Sequence, residues 1–107
     1  MPPVVPWMTR TDRYILNLLE SGLVLPPKVI HLNLRRAHGD DAPSRRQISR
    51  RLRNELTEHG LVHQPFEGEA RGMYAITDLG KRYFDDPDAE TEEFVIDLAT
   101  TDDSPDE

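Results

Sequence analysis

Chain breakers recur so closely in this sequence that only short helices fit between them. Gly22, the pair Pro26–Pro27, Gly39 with Pro43, Gly60, and Gly68 with Gly72 punctuate the first 84 residues. The longest stretch there without glycine or proline is 44–59, which allows roughly four and a half helical turns. A short helix buries one face only, so several must pack together to make a core. At 107 residues the chain is one domain with room for a modest core and none for a large enzyme cavity.

Residues 1–8 contain three prolines and read as an extended arm, with Trp7 as the side chain to pin it to the body. Thr9 or Thr11 caps a first helix in which Tyr14, Ile15, Leu18 and Leu19 fall at helical spacing, and Gly22 ends it. Pro26 and Pro27 suit the first turn of a second helix, where a missing N–H costs little, and Val29, Ile30, Leu32 and Leu34 give its apolar positions. "RRAHGDDAP" is polar, carries Gly39 and Pro43, and reads as a loop. Ser44 and Gln47 form the S-x-x-Q version of a capping box, opening a third helix over 44–59 that Gly60 stops. "LVHQPF" and "GMYAI", separated by the glycine-containing turn "EGEAR", read as a hairpin, and Thr77 caps a last helix, "TDLGKRYF". The order helix, helix, loop, helix, hairpin, helix over 9–84 predicts a mainly α domain with a small β-hairpin (α+β), a winged helix-turn-helix.

The net charge of −7 conceals a division. Residues 85–107 carry 11 acidic and no basic side chains, which leaves 13 basic against 9 acidic in 1–84. Eleven carboxylates with no counter-charge form no compact unit, so 85–107 reads as an acidic, mobile tail. Phe94, Ile96 and Leu98 alternate as on a strand, while Phe94 and Leu98 also share a helix face, and the pattern leaves both open. Only Lys28 and Lys81 are lysine. Arginine in place of lysine with an excess of carboxylates is a usage of salt-loving organisms, and a GC-rich genome accounts for the arginine alone.

Five of the arginines, Arg45, Arg46, Arg50, Arg51 and Arg53, stand in "SRRQISRRLR". At about 100° per residue, Ile48, Leu52 and Leu56 share one side of the helix, with Glu55 and His59 close by. Arg46, Arg50, Arg53, Asn54 and Thr57 take the opposite side, with Gln47, Ser49 and Arg51 at the flanks and Ser44 and Arg45 at the start. Arginine matches guanine O6 and N7, asparagine and glutamine match adenine N6 and N7, and an α-helix fits the major groove. Serine and arginine also hold phosphates. This face predicts double-stranded DNA as the partner, with Arg35 in the loop and Arg71 at the hairpin tip as further contacts. The bland alternative is a solvated arginine-rich surface.

The segments "PWMTRTDRYILNLLESGLVLPPKVIHLNL", "SRRQISRRL", "EHGLV" and "GMYAITDLGKRYF" resemble the haloarchaeal winged-helix family named for the phage phi-H repressor. The most telling are "WMT", "SRRL", "EHGLV" and Y-x-I-T-D-L-G-x-x-Y, and the resemblance spans about residues 6–84. It implies a sequence-specific DNA-binding transcriptional regulator, a repressor within that class, in the cytoplasm of a halophilic archaeon. Residues 35–43 depart from the family as an insertion, and Asn54 is one residue extra inside the third helix. The family's contact positions therefore transfer only as far as about Arg53.

Other chemistry lacks its residues. Without cysteine there are no disulfides and no thiolate ligands. His59 and His63 are four apart with Gly60 between them, and His31 and His38 do not complete a metal set. Asp40 and Asp41 read as a solvated loop pair. There is no P-loop, nucleophile elbow or glycine-rich phosphate cradle, so neither catalysis nor a cofactor is expected. No apolar run spans a bilayer and "MPPVVPWMTR" is not a signal peptide, so a cytoplasmic protein is expected. Helix-turn-helix proteins commonly pair on two half-sites, so a homodimer is expected, with 1–8 or 89–99 as the contact. The competing reading is a protein-interaction module on the same scaffold without DNA. An effector-sensing regulator would need a dimer cavity that this short chain has few residues to build.

Overall fold

The computed structural model describes residues 5–85. Helix α1 spans Arg10–Leu19, α2 Pro27–His38, a 3₁₀ turn Gly39–Asp41, and α3 Arg45–Arg51, which runs on through a π-turn at Leu52–Leu56. Strands β1 (Val62–His63) and β2 (Ala75–Ile76) follow, then α4 (Asp78–Asp85). The strands are antiparallel, with Val62 opposite Ile76 and His63 opposite Ala75. This is a winged helix-turn-helix: helices around one core, closed by a two-stranded hairpin. Residues 1–4 of the expected arm 1–8, and 86–107 of the expected tail 85–107 with its 94–98 pattern, lie outside the described residues.

Thr9, rather than Thr11, caps α1. Its hydroxyl accepts the Asp12 N–H at 3.4 Å, and the Asp12 carboxylate accepts the Thr9 N–H at 2.8 Å. Ile15, Leu16 and Leu19 bury the inner face, while Tyr14 and Leu18 are half-buried. Pro26 and Pro27 open α2 as expected. The loop reading of 35–43 is corrected at its first residues. Arg35, Arg36 and Ala37 are good helix formers, nothing before Gly39 stops them, and α2 runs to His38. Gly39 then takes a φ of 63°, which a side chain disfavours. His38 stacks on Tyr14 at 4.1 Å and 10°, clasping the end of α2 to α1. Leu32 stays half exposed at 49%, whereas Ile30 and Leu34 enter the core.

Ser44 caps α3 by accepting the Gln47 N–H at 3.1 Å, which is one half of the expected box, and the Gln47 side chain stays at the surface. Ile48, Leu52 and Leu56 are fully buried. The helix does not remain α throughout, because the stretch from Leu52 to Leu56 is wound as a π-turn. A π-turn is how a helix absorbs one residue too many, and Asn54, which the resemblance leads one to expect as an extra residue, lies within it. Helical winding ends at residue 58, and Gly60 turns the chain with a φ of 78°.

The strands are shorter than the runs "LVHQPF" and "GMYAI" imply, two residues each. The sheet gains a contact that sequence alone did not disclose. Leu25, between α1 and α2, exchanges both backbone hydrogen bonds with Tyr74, at 3.0 and 2.9 Å. Thr77 caps α4 by accepting the Gly80 N–H at 3.1 Å and donates its hydroxyl proton to Gly60 O at 2.6 Å. Gly80 lies where a Cβ would come within 2.6 Å of Leu61 O, so α4 packs directly on the exit from the third helix. At the other end, Val5 and Met8 are buried in the core, and Trp7 stacks on His59 at 4.1 Å and 6°.

Candidate nucleic-acid interface

The outward side of the third helix is a basic and amide-bearing surface on a rigid support. Arg45, Arg46, Gln47, Arg50, Arg53 and Asn54 are exposed, and Ser49 is half-buried. No acidic residue occurs between Ser44 and Asn54. The first one after that, Glu55, is turned to Arg51, with an Nη1 to Oε1 distance of 3.3 Å.

Arg51 separates from the other four arginines. Its Nε and Nη2 donate to the two oxygens of Asp12 at 2.8 and 2.5 Å, and Nη2 also donates to Trp7 O at 3.1 Å. The Asp12 side chain is completely buried and that of Arg51 is 16% exposed. The hydrogen bond to Asp12 raises the Arg51 pKa above its ordinary value, against the opposing effect of burial. This arginine therefore locks α3 to α1 and to the chain before it. Helical spacing sets it at the flank and Arg50 outward, but nothing local names its partner, which stands 39 positions away.

His59, at the end of the same helix, has its pKa lowered, chiefly by burial, which outweighs the opposite pull of Glu58 and Glu55. Arg53 leans back along the helix, its Nε making a long bond of 3.4 Å to Ser49 O. Its charge is felt by the Tyr74 phenol of the wing, although burial dominates there and raises the Tyr74 pKa. Arg53 is thus near enough to the wing for its charge to reach Tyr74.

The remaining candidates lie elsewhere. Arg71 is exposed in the hairpin loop, among the exposed Phe66, Glu67 and Glu69. That loop is braced where Gln64 Oε1 accepts the Gly72 N–H at 2.8 Å. Arg35 occupies the last turn of α2, where it borders a shallow depression with Leu32 and Arg36. The histidines are dispersed. His31 Nδ1 lies 3.1 Å from Pro43 O, His38 is on Tyr14, His59 is on Trp7, and His63 is on β1. Among the described residues no group of three or more His, Asp or Glu side chains is placed to hold a metal ion. No helix among them is long and apolar enough to cross a membrane.

Comparison with known proteins bears on this arrangement. The crystal structure of the PhiH1 repressor-like protein from Haloarcula marismortui superposes with a TM-score of 0.60 at 31% sequence identity. The match covers 78% of this chain and 83% of that one. No curated protein matches the sequence. The profile of the winged helix-turn-helix phage repressor family matches residues 1–94, and with the fold above this chain belongs to that family.

Proposed function

We propose that this protein is a sequence-specific DNA-binding transcriptional regulator that acts as a repressor, with the helix that starts at Arg45 lying in the major groove. The observation that carries the reading is the exposed, acid-free face of Arg45, Arg46, Gln47, Arg50 and Asn54 on a helix whose other side is fully buried. Arginine there offers paired donors to guanine, and Gln47 and Asn54 offer a donor and an acceptor to adenine. Ser44, Ser49 and Arg53 flank the face within reach of phosphates, with Arg71 on the wing and Arg35 on α2 as outlying backbone contacts. The Haloarcula neighbour bears a repressor-like name and supports the same class, and a salt-rich cytoplasm is part of the same proposal. Two copies on two half-sites is the usual helix-turn-helix arrangement. Light scattering at high micromolar concentration checks it, and a strict monomer removes it.

A gel shift in molar potassium chloride with fragments of the source genome tests the function, followed by single substitutions on the fragment retained. Arg50→Ala and Arg46→Ala are each expected to weaken the cognate site by about 1–3 kcal/mol and to relax preference at one base pair. Arg35→Ala is expected to weaken cognate and random DNA alike. Equal losses on both for Arg50→Ala make Arg50 a phosphate clamp. No retardation on any fragment favours the protein-interaction module instead.

A further inference from the structure

We propose that the π-turn at Leu52–Leu56 is a specificity device, which brings Asn54 into line with Arg50, one turn beyond it and two beyond Arg46, and is held by Thr57 as a positioning residue. The inference rests on the DNA-reading role proposed above and adds which side chains read together.

In uninterrupted α-helix each residue advances by about 100°, so Arg50 lies about 40° round from Arg46, and Asn54 would lie about 40° further still. A turn that closes over five residues advances each one by only roughly 80°. The π-turn begins at Leu52, so over the two steps to Asn54 the helix falls behind α spacing by roughly 40°. The drift cancels, and Asn54 comes to stand above Arg50. Three exposed side chains then follow one another a turn apart, two guanidinium groups and one amide. Their complement along a groove is guanine, guanine and adenine. On the inner side the same winding keeps Leu56 fully buried, so the core loses nothing by it.

Thr57 carries the signature of the widened turn. A threonine in ordinary α-helix bonds the carbonyl three or four residues back. Here the Thr57 hydroxyl donates to Leu52 O, five residues back, at 2.5 Å, while its own N–H goes to Asn54 O. The hydroxyl therefore closes the turn across the segment that sets the angle of Asn54.

The test selects binding sites from a random duplex pool with the unaltered protein, Thr57→Ser, Thr57→Val and a chain lacking Asn54, each checked by melting. The unaltered protein and Thr57→Ser are expected to return the same motif. Thr57→Val, equal in shape without the hydroxyl, is expected to lose about tenfold of its discrimination at one adenine position. It should keep the preferences that Arg50→Ala removes. Deleting Asn54 lets the helix wind as α, so it is expected to fold and to lose the same adenine preference. A Thr57→Val variant that melts lower and binds all sites uniformly more weakly overturns the proposal, because that is what a merely structural threonine does. An unchanged motif in both Thr57→Val and the deletion also overturns it and leaves the DNA-reading function standing. Absence of any motif for the unaltered protein removes that function and this inference with it.

Discussion

Replacing Arg51 by methionine isolates the structural arginine from its neighbours. Methionine keeps most of the apolar stem and deletes both guanidinium bonds to Asp12. Asp12 then remains fully buried, with only the N–H and hydroxyl of Thr9, at 2.8 and 3.1 Å, to hold its charge. Removing one partner of a buried pair costs about 3–5 kcal/mol, most of it from the charge left behind. The 16% exposure of the Arg51 side chain admits some water, which places the loss near the lower end, about 3 kcal/mol. A domain of roughly 80 residues has about 4–12 kcal/mol in total, so a large part of its stability goes. Adding Asp12→Leu removes the stranded charge as well. The double variant is expected to recover about 2 kcal/mol and to remain about 1 kcal/mol below the parent, because Thr9 loses its reciprocal cap. Urea denaturation at fixed potassium chloride, followed by circular dichroism, measures all three, with an unchanged m-value as the check on two-state behaviour. Raising the salt should leave the differences intact, since a buried pair is little screened. The reasoning is refuted if Arg51→Met lies within about 1 kcal/mol of the parent, or if the double variant is no more stable than the single.

Gly80→Ala is expected to lose about 1–3 kcal/mol by overpacking, because the new Cβ would meet Ile76 Cγ1 at 2.5 Å and Leu61 O at 2.6 Å. Glycine to alanine within a helix ordinarily stabilises, so a gain in the same urea melts contradicts the packing described here. His59 has a folded pKa below its ordinary value, so the fold favours the neutral ring. Its contribution is complete above about pH 6.5 and is lost as pH falls through the lower folded value. Melting temperatures at pH 7 and 5 should therefore differ more for the parent than for His59→Phe, which keeps an aromatic ring against Trp7, and equal differences count against it. Ending the chain after Asp86 is expected to leave melting within about 0.5 kcal/mol and to tighten DNA binding at reduced salt by removing competing carboxylates. Unchanged affinity ends the competition idea.

What the sequence disclosed and what it withheld divide by range. Ser44, Thr77, Gly60 and the Pro26–Pro27 pair act on their own few residues, and each marks the boundary its chemistry implies. Helix α2 runs past Leu34 to His38 because polarity alone does not stop a helix. A helix stops at a residue such as Gly39 and not at arginines that helices accept. The Leu25–Tyr74 bridge and the Asp12–Arg51 pair join positions far apart, and the helical spacing that sets Arg51 at the flank does not name its partner. For the π-turn the sequence offered only the expectation, drawn from the resemblance, that Asn54 is an extra residue. Among the candidate contacts, Ser44 to Asn54 share one helix, whereas Arg35 and Arg71 sit on other elements, and the sequence offered no measure of that separation.

These features bear on how such a helix would discriminate among DNA sequences in strong salt. At 1 M the Debye length is roughly 3 Å, and counterion release drives binding far less than in dilute buffer. Discrimination then depends on hydrogen bonds made at contact distance, which tolerate little error in where the donors stand. The third helix is arrested at each of its levels. Ser44 holds its start, Arg51 ties its middle to Asp12 and Trp7 O, and Thr57 closes its irregular turn. Arg51 and Thr57 spend their donors inside the protein, whereas Ser44 only accepts and keeps its hydroxyl proton for a phosphate. Each restricts a different motion of the helix: fraying, sliding and rotation. An arginine withdrawn from the basic face is therefore no loss to it. If Arg46 and Arg50 read bases as proposed, Arg51 fixed in place would serve that reading more than a fifth exposed charge would under that screening.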